Sequence, residues 1–314
     1  MSVCHLNVLV MVRAAPVLLL FVVAYCDGLN LRPIIGILSQ HWYEGPSHIT
    51  ASYVKFVESS GARAVPIFVD KQDDYYERLF NSINGVLFPG GSASIEQSGY
   101  SSAARTLLRL AIQANDAGSH FPVWGTCLGL EELIYLQAGR SLMKACRGHD
   151  IATTLNFTQD FRRSGLFQDL PRALERALRK ENITYNMHQW CITPENFTKF
   201  GLDEFYEVLS TSRDADGGTF ISTLQAKHYP IYGTQWHPEK AAFEWVDDPH
   251  HRHLPHTVNA VKVMQYVANY FVEQARKSEH TFQSKEEEAK TLIYNFPATY
   301  MPANSSTVQE YIFR

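Results

Sequence analysis

The sequence predicts an α/β fold in which helices cover both faces of a mostly parallel β-sheet. Short, continuous apolar runs, typical of strands that are buried on both faces, alternate with amphipathic stretches of helical length. Their spacing is that of repeated strand–helix–strand units. The 314 residues, of which 45% are hydrophobic and 19% are charged, supply enough apolar side chains for one large core.

The parallel part of the sheet is predicted in the first half of the chain. Its strands are the apolar runs at residues 33–38, 64–69, 85–88 and 121–124. Helices are predicted between and after these runs, at residues 51–59, 73–83, 101–117 and 128–138. Because each helix carries the chain back along the sheet, successive strands are expected to pair in parallel.

The second half of the chain predicts an antiparallel extension of that sheet. Strands are expected at residues 204–211, 219–228 and 229–236. Asp216-Gly217-Gly218, between the first two, is a hairpin signal. A closing helix is expected at residues 257–276, where apolar side chains recur at helical spacing. Since no repeat or Pro/Gly/Ser-rich linker divides the chain, residues 27–314 are interpreted as a single domain.

Residues 1–26 have the features of a secretory signal peptide. A basic residue precedes the apolar run at residues 14–25, which is shorter than the roughly 20 residues needed to span a bilayer. Ala24 and Cys26 are small residues at the positions that a signal peptidase reads. We expect cleavage to leave a mature chain that begins near Asp27 and has no membrane attachment. A retained anchor and a buried first strand are the alternatives.

Four N-glycosylation sequons agree with a secretory route. Each can accept a glycan if its asparagine is exposed in the secretory pathway, although a buried sequon would stay unused. The acceptor residues are Asn156, Asn182, Asn196 and Asn304.

The cysteine count leaves at least one thiol unpaired. After removal of the signal, the chain keeps Cys127, Cys146 and Cys191, which are too few for a disulfide scaffold and odd in number. A disulfide between Cys146 and Cys191 and a pair of separate thiols are both open. We favour inert thiols, because free cysteine packs as a small hydrophobe.

The charge pattern argues against nucleic acid as a partner. The formal net charge is −4, and no block of Lys and Arg residues occurs. The basic patch that a nucleic-acid-binding protein needs is therefore missing. The charged run at residues 285–290 is interpreted as solvated surface.

A cysteine between two glycines stands where a predicted strand is followed by a predicted helix. Gly125, Cys127 and Gly129 form this turn. A sharp turn there holds a nucleophile at the carboxyl edge of the sheet, and side chains at positions 125 and 129 would crowd it. The helix N-terminus is expected to lower the pKa of the thiol. We predict that Cys127 is the catalytic nucleophile; a structural cysteine in a glycine-bounded turn is the alternative.

A histidine and a carboxylate follow the last predicted strand. His237 and Glu239 are two residues apart, and in extended backbone such residues point to the same side. Glu239 can then hold one imidazole nitrogen while the other faces the thiol, which predicts a Cys-His-Glu relay. Because the chain has 13 histidines, it is the pairing with Glu239 and with the cysteine turn that distinguishes His237.

Two adjacent glycines, Gly90 and Gly91, follow the third predicted strand. Glycine lets a backbone N–H approach a ligand closely. The N–H groups of Gly91 and Leu128 are therefore predicted to form an oxyanion hole, with Gly90 lining the substrate site. A simple turn is the alternative.

Three motifs together resemble the class I glutamine amidotransferase-like superfamily. They are FPGG at residues 88–91, GTCLG at 125–129 and QWHPE at 235–239, in the order found in that superfamily, and the resemblance covers about residues 32–275. It implies a flavodoxin-like three-layer sandwich with a Cys-His-Glu triad. The opening RPIIGIL, the segment YVKFVESSGARAVPI and YPIYGTQWHPEK are similar to the γ-glutamyl hydrolase family, peptidase family C26.

The resemblance implies a lysosomal and secreted hydrolase, a homodimer without cofactor or metal, that removes γ-linked glutamates from folylpoly-γ-glutamate and antifolate tails. By the same resemblance, Cys127 is the nucleophile, His237 the general base and acid, and Glu239 the orienting carboxylate. Glu131 and His188 match family positions near the cleft and are expected to contact substrate. Alternatively, Glu131 only favours the first turn of its helix, and His188 lies in a surface loop.

Two other functions remain open on sequence grounds. A glutaminase that supplies ammonia to a synthase is disfavoured by the signal peptide and the sequons, and ammonia release from glutamine tests it. A secreted binding protein that keeps the fold without activity is disfavoured because every residue of the triad is present. Rapid alkylation of one cysteine would exclude it.

Overall fold

The structure is a computed structural model. It describes residues 28–42, 45–246, 248–249, 251–302 and 305–314. The predicted signal peptide at residues 1–26 therefore lies outside the described residues. Within the described ranges, no helix has both the length and the apolar character needed to cross a lipid bilayer.

Strands and α-helices alternate through the first half of the described chain. The strands are β1 (Ile34–Leu38), β2 (Gln40–His41), β3 (Ser47–Thr50), β4 (Arg63–Ile67), β5 (Gly85–Phe88), β6 (Val123–Thr126), β7 (Lys144–Thr153), β8 (Asn156–Phe157), β9 (Thr184–Cys191), β10 (Tyr206–Arg213), β11 (Thr219–Ala226), β12 (Ile231–Thr234), β13 (Ala298–Tyr300) and β14 (Gln309–Phe313). The helices are α1 (Ala51–Glu58), α2 (Asp73–Phe80), α3 (Gly99–Asp116), α4 (Leu128–Ala138), α5 (Arg172–Lys180), α6 (Pro194–Lys199), α7 (Lys240–Phe243), α8 (Val258–Ala275) and α9 (Lys285–Thr291).

Eight strands form the central sheet, in the order β4-β1-β5-β6-β12-β11-β10-β8. The first five strands in this order, β4, β1, β5, β6 and β12, pair in parallel. Strands β11, β10 and β8 extend the sheet by antiparallel pairing. Side chains of α2, α3 and α4 pack in the core on one face, and those of α1, α5 and α8 pack in the core on the other. The predicted three-layer α/β sandwich, with its antiparallel extension, is confirmed.

Strand β1 explains why the predicted strands are continuous apolar runs. Ile34 and Leu38 belong to the core on one face of the sheet, while Ile35 and Ile37 belong to the core on the other. All five residues of β1 are buried. Because successive side chains of a strand point to opposite faces, a strand covered on both faces needs apolar residues at every position.

Strand β6 begins two residues later than predicted and continues to the residue before Cys127. Pro122 has no N–H to donate to the sheet, although its carbonyl accepts the Val86 N–H at 3.1 Å. Gly125, which was predicted to lie in a turn, pairs with Gly233 of β12. The chain therefore enters the cysteine turn directly from a hydrogen-bonded strand.

The turn between β10 and β11 is the predicted hairpin. The two strands pair antiparallel, and Gly217 has φ +85°, which glycine adopts without steric cost. The Gly218 N–H donates to Asp214 Oδ1 at 2.7 Å, which closes the turn.

A disulfide joins Cys146 of β7 to Cys191 of β9. The expectation that these cysteines are separate, inert thiols is therefore wrong. The two strands pair antiparallel outside the central sheet, with Lys144 opposite Cys191. The Cα atoms of the two cysteines are 6.1 Å apart, a separation that a disulfide spans. Among the described residues, Cys127 is the one free cysteine.

A second sheet brings the C-terminal strands against the segment that follows β1. Its order is β13-β14-β3-β2, and its pairs are antiparallel. Glu310 of β14 lies opposite Thr50 of β3. These two C-terminal strands were not predicted from the sequence: all three residues of β13 are exposed, so it has no buried apolar face to give a strand pattern.

Candidate active site

Three neighbouring strands, β5, β6 and β12, end at the same edge of the central sheet. The segments that follow them carry Gly90, Cys127 and His237, respectively. Because these strands are parallel and adjacent, the three residues come together although they are far apart in the sequence. They line one cleft of about 840 Å³, together with Glu131 and His188.

Cys127 has a backbone conformation that non-glycine residues rarely adopt. Its φ is +53° and its ψ is −108°, and it is the N-cap residue of α4. The Cys127 N–H donates to the Thr234 carbonyl at 2.7 Å, which ties the turn to the end of β12. A strained strand-to-helix turn of this kind is typical of a hydrolase nucleophile. The thiol is directed toward β9, where the Met187 carbonyl lies 3.9 Å from Sγ.

The two glycines beside Cys127 leave room for this turn. A Cβ atom at Gly129 would overlap the carbonyl oxygen of Phe88, and one at Gly125 would lie 2.5 Å from the carbonyl oxygen of Gly129. Both obstacles are backbone atoms, which cannot rotate away as a side chain can. The close approach of α4 to the end of β5 therefore requires glycine at these positions, as the sequence predicted.

We expect Gly129→Ala to destabilise the protein by about 3 kcal/mol or more, because overpacking against fixed backbone forces α4 away from β5. The expected loss of stability is opposite to the intrinsic helix preference, since alanine in a helix is otherwise about 1 kcal/mol more favourable than glycine. The measurement is the free energy of unfolding in denaturant. Gly28→Ala is the control, because nothing lies within 4 Å of a Cβ atom there. Equal stability of the Gly129→Ala variant and the parent would contradict the observed packing.

The Cys127 thiol is protonated in the resting site. Burial, followed by the charge of the Glu131 carboxylate, raises the pKa of the thiol well above its ordinary value, and the contact with the Leu128 N–H does not offset them. Only 4% of Cys127 is exposed, so a thiolate would lose its hydration. The Leu128 N–H at the helix N-terminus lowers this pKa, as expected, but burial and the Glu131 charge have the larger effect. A base must take the thiol proton before the sulfur can attack.

His237 and Glu239 form a buried pair beside this thiol. Nδ1 of His237 lies 2.7 Å from Oε1 of Glu239, and the exposed fractions of the two residues are 6% and 1%. Burial raises the pKa of Glu239, but the interaction with His237, together with the charge of Lys240, outweighs it and holds this pKa below its ordinary value. The contact is made in a turn after β12 ends at Thr234, not in extended backbone as the sequence argument assumed.

The imidazole of His237 lies beside the cysteine turn. Its Nε2 is buried and has no hydrogen-bond partner among the described residues. A Cβ atom added to Gly90 would contact both His237 Cε1, at 2.7 Å, and Cys127 Cβ, at 3.2 Å. The imidazole and the Cys127 side chain therefore flank the same glycine. This arrangement places an imidazole nitrogen without a hydrogen-bond partner in the same part of the cleft as the thiol.

The glycine loop after β5 is held by two residues that the sequence did not point out. Gln40 Nε2 donates to the Gly90 carbonyl at 2.8 Å, and the Gly90 N–H donates to the Tyr53 hydroxyl at 2.7 Å. The Gly90 N–H is occupied by this bond. The N–H groups of Gly91 and Leu128 therefore remain the candidates for an oxyanion hole, and both residues line the cleft.

Tyr53 also contacts the histidine of the pair. Its hydroxyl lies 3.4 Å from His237 Nδ1, and only 3% of the residue is exposed. Burial, together with the charge of Glu239, raises the pKa of Tyr53 well above its ordinary value, so it remains a neutral hydroxyl. Tyr53 lies within a predicted core helix, where nothing in the local pattern separates it from a packing residue.

Glu131 lies in the first turn of α4, is 6% exposed and lines the cleft. It accepts a hydrogen bond from Gln235 Nε2 at 2.9 Å, and burial raises its pKa to about 7. A buried carboxylate with one hydrogen-bond donor is therefore present beside the thiol. The position of Glu131 in α4 agrees with the alternative that it only favours the first turn of the helix. Its place in the cleft agrees with the prediction that it contacts substrate.

His188 is a buried residue of β9, not a residue of a surface loop. Its Nε2 lies 3.2 Å from Asn186 Oδ1, and burial lowers its pKa to about 3, which keeps the imidazole neutral. His188 lies close enough to Cys146 and Cys191 for the three side chains to form a metal-binding group. The disulfide occupies both sulfur atoms, so thiolate ligands are not available there.

The sequon asparagines differ in accessibility. Asn156 and Asn182 are exposed. Asn196 is half-buried, and its Nδ2, the atom that a glycan would be attached to, donates to the Leu142 carbonyl at 3.1 Å. Asn304 lies outside the described residues.

A cysteine, a histidine and a carboxylate at the carboxyl edge of a flavodoxin-like sheet are the side chains expected of a cysteine hydrolase. The model of the peptidase C26 family matches residues 33–239. The chain belongs to the peptidase C26 family.

Curated relatives match along most of the chain. It is 47% identical over 289 residues to gamma-glutamyl hydrolase of Bos taurus, and the match covers 90% of both chains. It is 46% identical to gamma-glutamyl hydrolase of Homo sapiens, with the same coverage. Gamma-glutamyl hydrolase B of Dictyostelium discoideum is 37% identical, with 91% of this chain and 84% of the relative covered. Among solved structures, a glutamine amidotransferase from Methylobacillus flagellatus superposes with a TM-score of 0.46 at 14% identity, over 80% of this chain and 96% of that chain.

Proposed function

We propose that this protein hydrolyses γ-glutamyl amide bonds in the tails of folylpoly-γ-glutamates and antifolate polyglutamates. The observation that carries the proposal is the strained Cys127 turn beside the buried His237–Glu239 pair, in a cleft large enough for an extended ligand. Relatives named gamma-glutamyl hydrolase, whose matches cover 90% of the chain, support the choice of the γ-glutamyl bond.

The proposed reaction proceeds through a thioester. His237 Nε2 takes the thiol proton as Sγ of Cys127 attacks the γ-carbonyl carbon, and the carbonyl oxygen becomes an oxyanion that the N–H groups of Gly91 and Leu128 stabilise. The C–N bond then breaks, and the imidazolium gives its proton to the leaving amine. Water, deprotonated by His237, attacks the thioester and releases a γ-carboxylate and the thiol. Glu239 stabilises the imidazolium in both steps.

Product analysis on a folate pentaglutamate tests this function. We expect the γ-linked tail to be shortened, and a matched folate with an α-linked tail to resist, because only the γ-linkage presents the side-chain carbonyl. Ammonia release from free glutamine is measured in parallel. Ammonia release without cleavage of the γ-linked tail would identify a glutaminase, and inertness toward both substrates would identify a binding protein; either result overturns the proposal.

We further propose that residues 1–26 are removed as a signal peptide and that the mature chain is glycosylated and reaches lysosomes and the medium. The exposure of Asn156 and Asn182 supports glycan attachment there, whereas Asn196 is half-buried. The amide groups of Asn156 and Asn196 each donate a hydrogen bond, to Thr211 Oγ1 at 3.4 Å and to the Leu142 carbonyl at 3.1 Å. Protein secreted from animal cells is expected to begin near Asp27 and to lose mass with a glycan-removing enzyme. Secreted protein that still begins at Met1 would contradict the route.

We also propose that residues 27–314 form one domain and that two copies associate. The support is the resemblance of the chain to the γ-glutamyl hydrolase family. Sedimentation equilibrium of the mature protein is expected to give twice the chain mass, and a single chain mass at micromolar concentration would contradict the dimer.

A further inference from the structure

The cleft contains a single lysine and no arginine among its described lining residues. That lysine is Lys240, the first residue of α7, which directly follows the orienting carboxylate Glu239. The same lining contains three carboxylates, Glu96, Glu131 and Glu310. A γ-glutamyl tail carries a free α-carboxylate on every residue, so such a ligand must find positive charge in a wall whose other ionisable side chains are mainly carboxyl groups and imidazoles.

Lys240 lines the cleft and is mostly buried. It is 7% exposed, and its Nζ is not one of the buried polar atoms that lack a partner, so the ammonium group keeps access to the cleft. The carboxylate of Glu310, which lines the same cleft, is among the groups on which its charge acts. Glu239 is paired with His237, and Glu244 accepts the Val308 N–H at 2.8 Å. An anionic ligand in the cleft could therefore pair with this ammonium group, and charge-assisted hydrogen bonds of this kind are among the strong ones.

The cleft imidazoles do not replace this charge. Burial lowers the pKa of His48 to about 4 and the pKa of His188 to about 3, and it also lowers the pKa of His251. These three side chains are therefore neutral near pH 7. Among the described lining residues, Lys240 is therefore the one Lys or Arg side chain that can attract a carboxylate, beside the imidazoles of His149 and His237.

Lys240 directly follows Glu239 in the chain and lines the same cleft as Cys127. In a γ-linked substrate, the α-carboxylates on either side of the scissile amide lie within about 4–5 Å of the carbonyl carbon that the sulfur attacks, given ordinary bond lengths. These two carboxylates are therefore the ones that a cation beside the proposed relay is placed to meet.

We propose that Lys240 binds the α-carboxylate of a γ-linked glutamate that adjoins the scissile bond, and so selects γ-glutamyl substrates with a free α-carboxylate. The inference rests on the proposed function. The ion pair forms when the substrate is bound. Lys240 is thus assigned to substrate recognition, separately from the relay formed by Cys127, His237 and Glu239.

The test compares three synthetic substrates. One is a p-aminobenzoyl-γ-glutamyl-glutamate with both α-carboxylates free, and the other two each carry an α-carboxamide, on the acyl side or on the leaving side. We expect Lys240→Met to lower kcat/KM for the free substrate about 100-fold, a typical loss for a buried charge pair, mostly through KM. For one of the two amides the loss should be less than about threefold, and that amide identifies the side on which Lys240 binds.

Two further variants make the result specific. Lys240→Arg keeps the positive charge and should retain discrimination between acid and amide, whereas Lys262→Met, at an exposed lysine of α8, should behave like the parent. An equal loss on all three substrates would mean that Lys240 acts only through Cys127 or Glu239, and would overturn the assignment. A Lys240→Met variant that still discriminates between the free acid and the amides as the parent does would also overturn the assignment. If the parent protein cleaves none of the substrates, the proposed function itself fails.

Discussion

Replacement of Cys127 by alanine is expected to abolish turnover of a γ-glutamyl substrate while the fold and substrate binding persist. No other described residue offers a free thiol, and alanine has no atom that can form a thioester. Removal of the nucleophile of a comparable hydrolytic triad costs about 10⁶-fold in kcat. The loss is measured as steady-state kcat/KM on a γ-glutamyl dipeptide conjugate, with near-UV circular dichroism as the check on folding.

The fold should survive because the substitution keeps the features that shape the turn. Alanine retains Cβ, so the positive φ at position 127 is no more strained than before, and the N–H bond to Thr234 remains. The matched control is the double variant Cys146→Ala/Cys191→Ala, which loses the disulfide but keeps Cys127. It should lose about 2–4 kcal/mol of stability and keep its turnover below its melting temperature. Turnover by Cys127→Ala above the uncatalysed rate would show that the nucleophile is misassigned.

The central sheet was predictable because its signals are local. Strand β5 and helix α4 have the predicted bounds, since a short run buried on both faces and a glycine-bounded turn are both legible in a few consecutive residues. Strand β9 was not predicted, although it forms a wall of the cleft. Its stability depends on pairing with β7 and on a disulfide, and both are contacts between distant residues. Sequence patterns do not record such contacts.

The same difference between local sequence patterns and contacts of distant residues applies to the candidate active site. The motifs around Cys127 and His237 are compact, and the parallel order of β6 and β12 makes their meeting a consequence of the fold. Tyr53 and Gln40 approach from α1 and β2, in segments whose local patterns signal only core packing. The pKa of the thiol could not be inferred from its place at a helix N-terminus, because burial, which depends on the whole fold, has the larger effect.

His237→Ala is expected to lower kcat/KM to within about tenfold of the nucleophile-free variant, because a nucleophile and its base act as a unit. Burial holds the Cys127 thiol protonated, so the sulfur does not attack without a proton acceptor. His237 Nε2 is the buried acceptor that has no other partner among the described residues. In the proposed mechanism it also returns the proton to the leaving amine. An activity of His237→Ala near that of the parent would mean that the thiolate forms without this base.

Glu239→Gln is expected to reduce kcat/KM less than His237→Ala, by about 10²–10⁴-fold, as for an orienting carboxylate in other triads. The glutamine oxygen can still accept the Nδ1 proton and hold the tautomer, but it has no charge to stabilise the imidazolium. Glu132→Gln is the control, since that carboxylate is fully buried, is bound by Ser101 at 2.8 Å and lies outside the cleft lining. Full activity of Glu239→Gln would exclude it from the relay. Inactivity equal to that of Cys127→Ala would mean that its charge is required for proton transfer itself, not only for orientation.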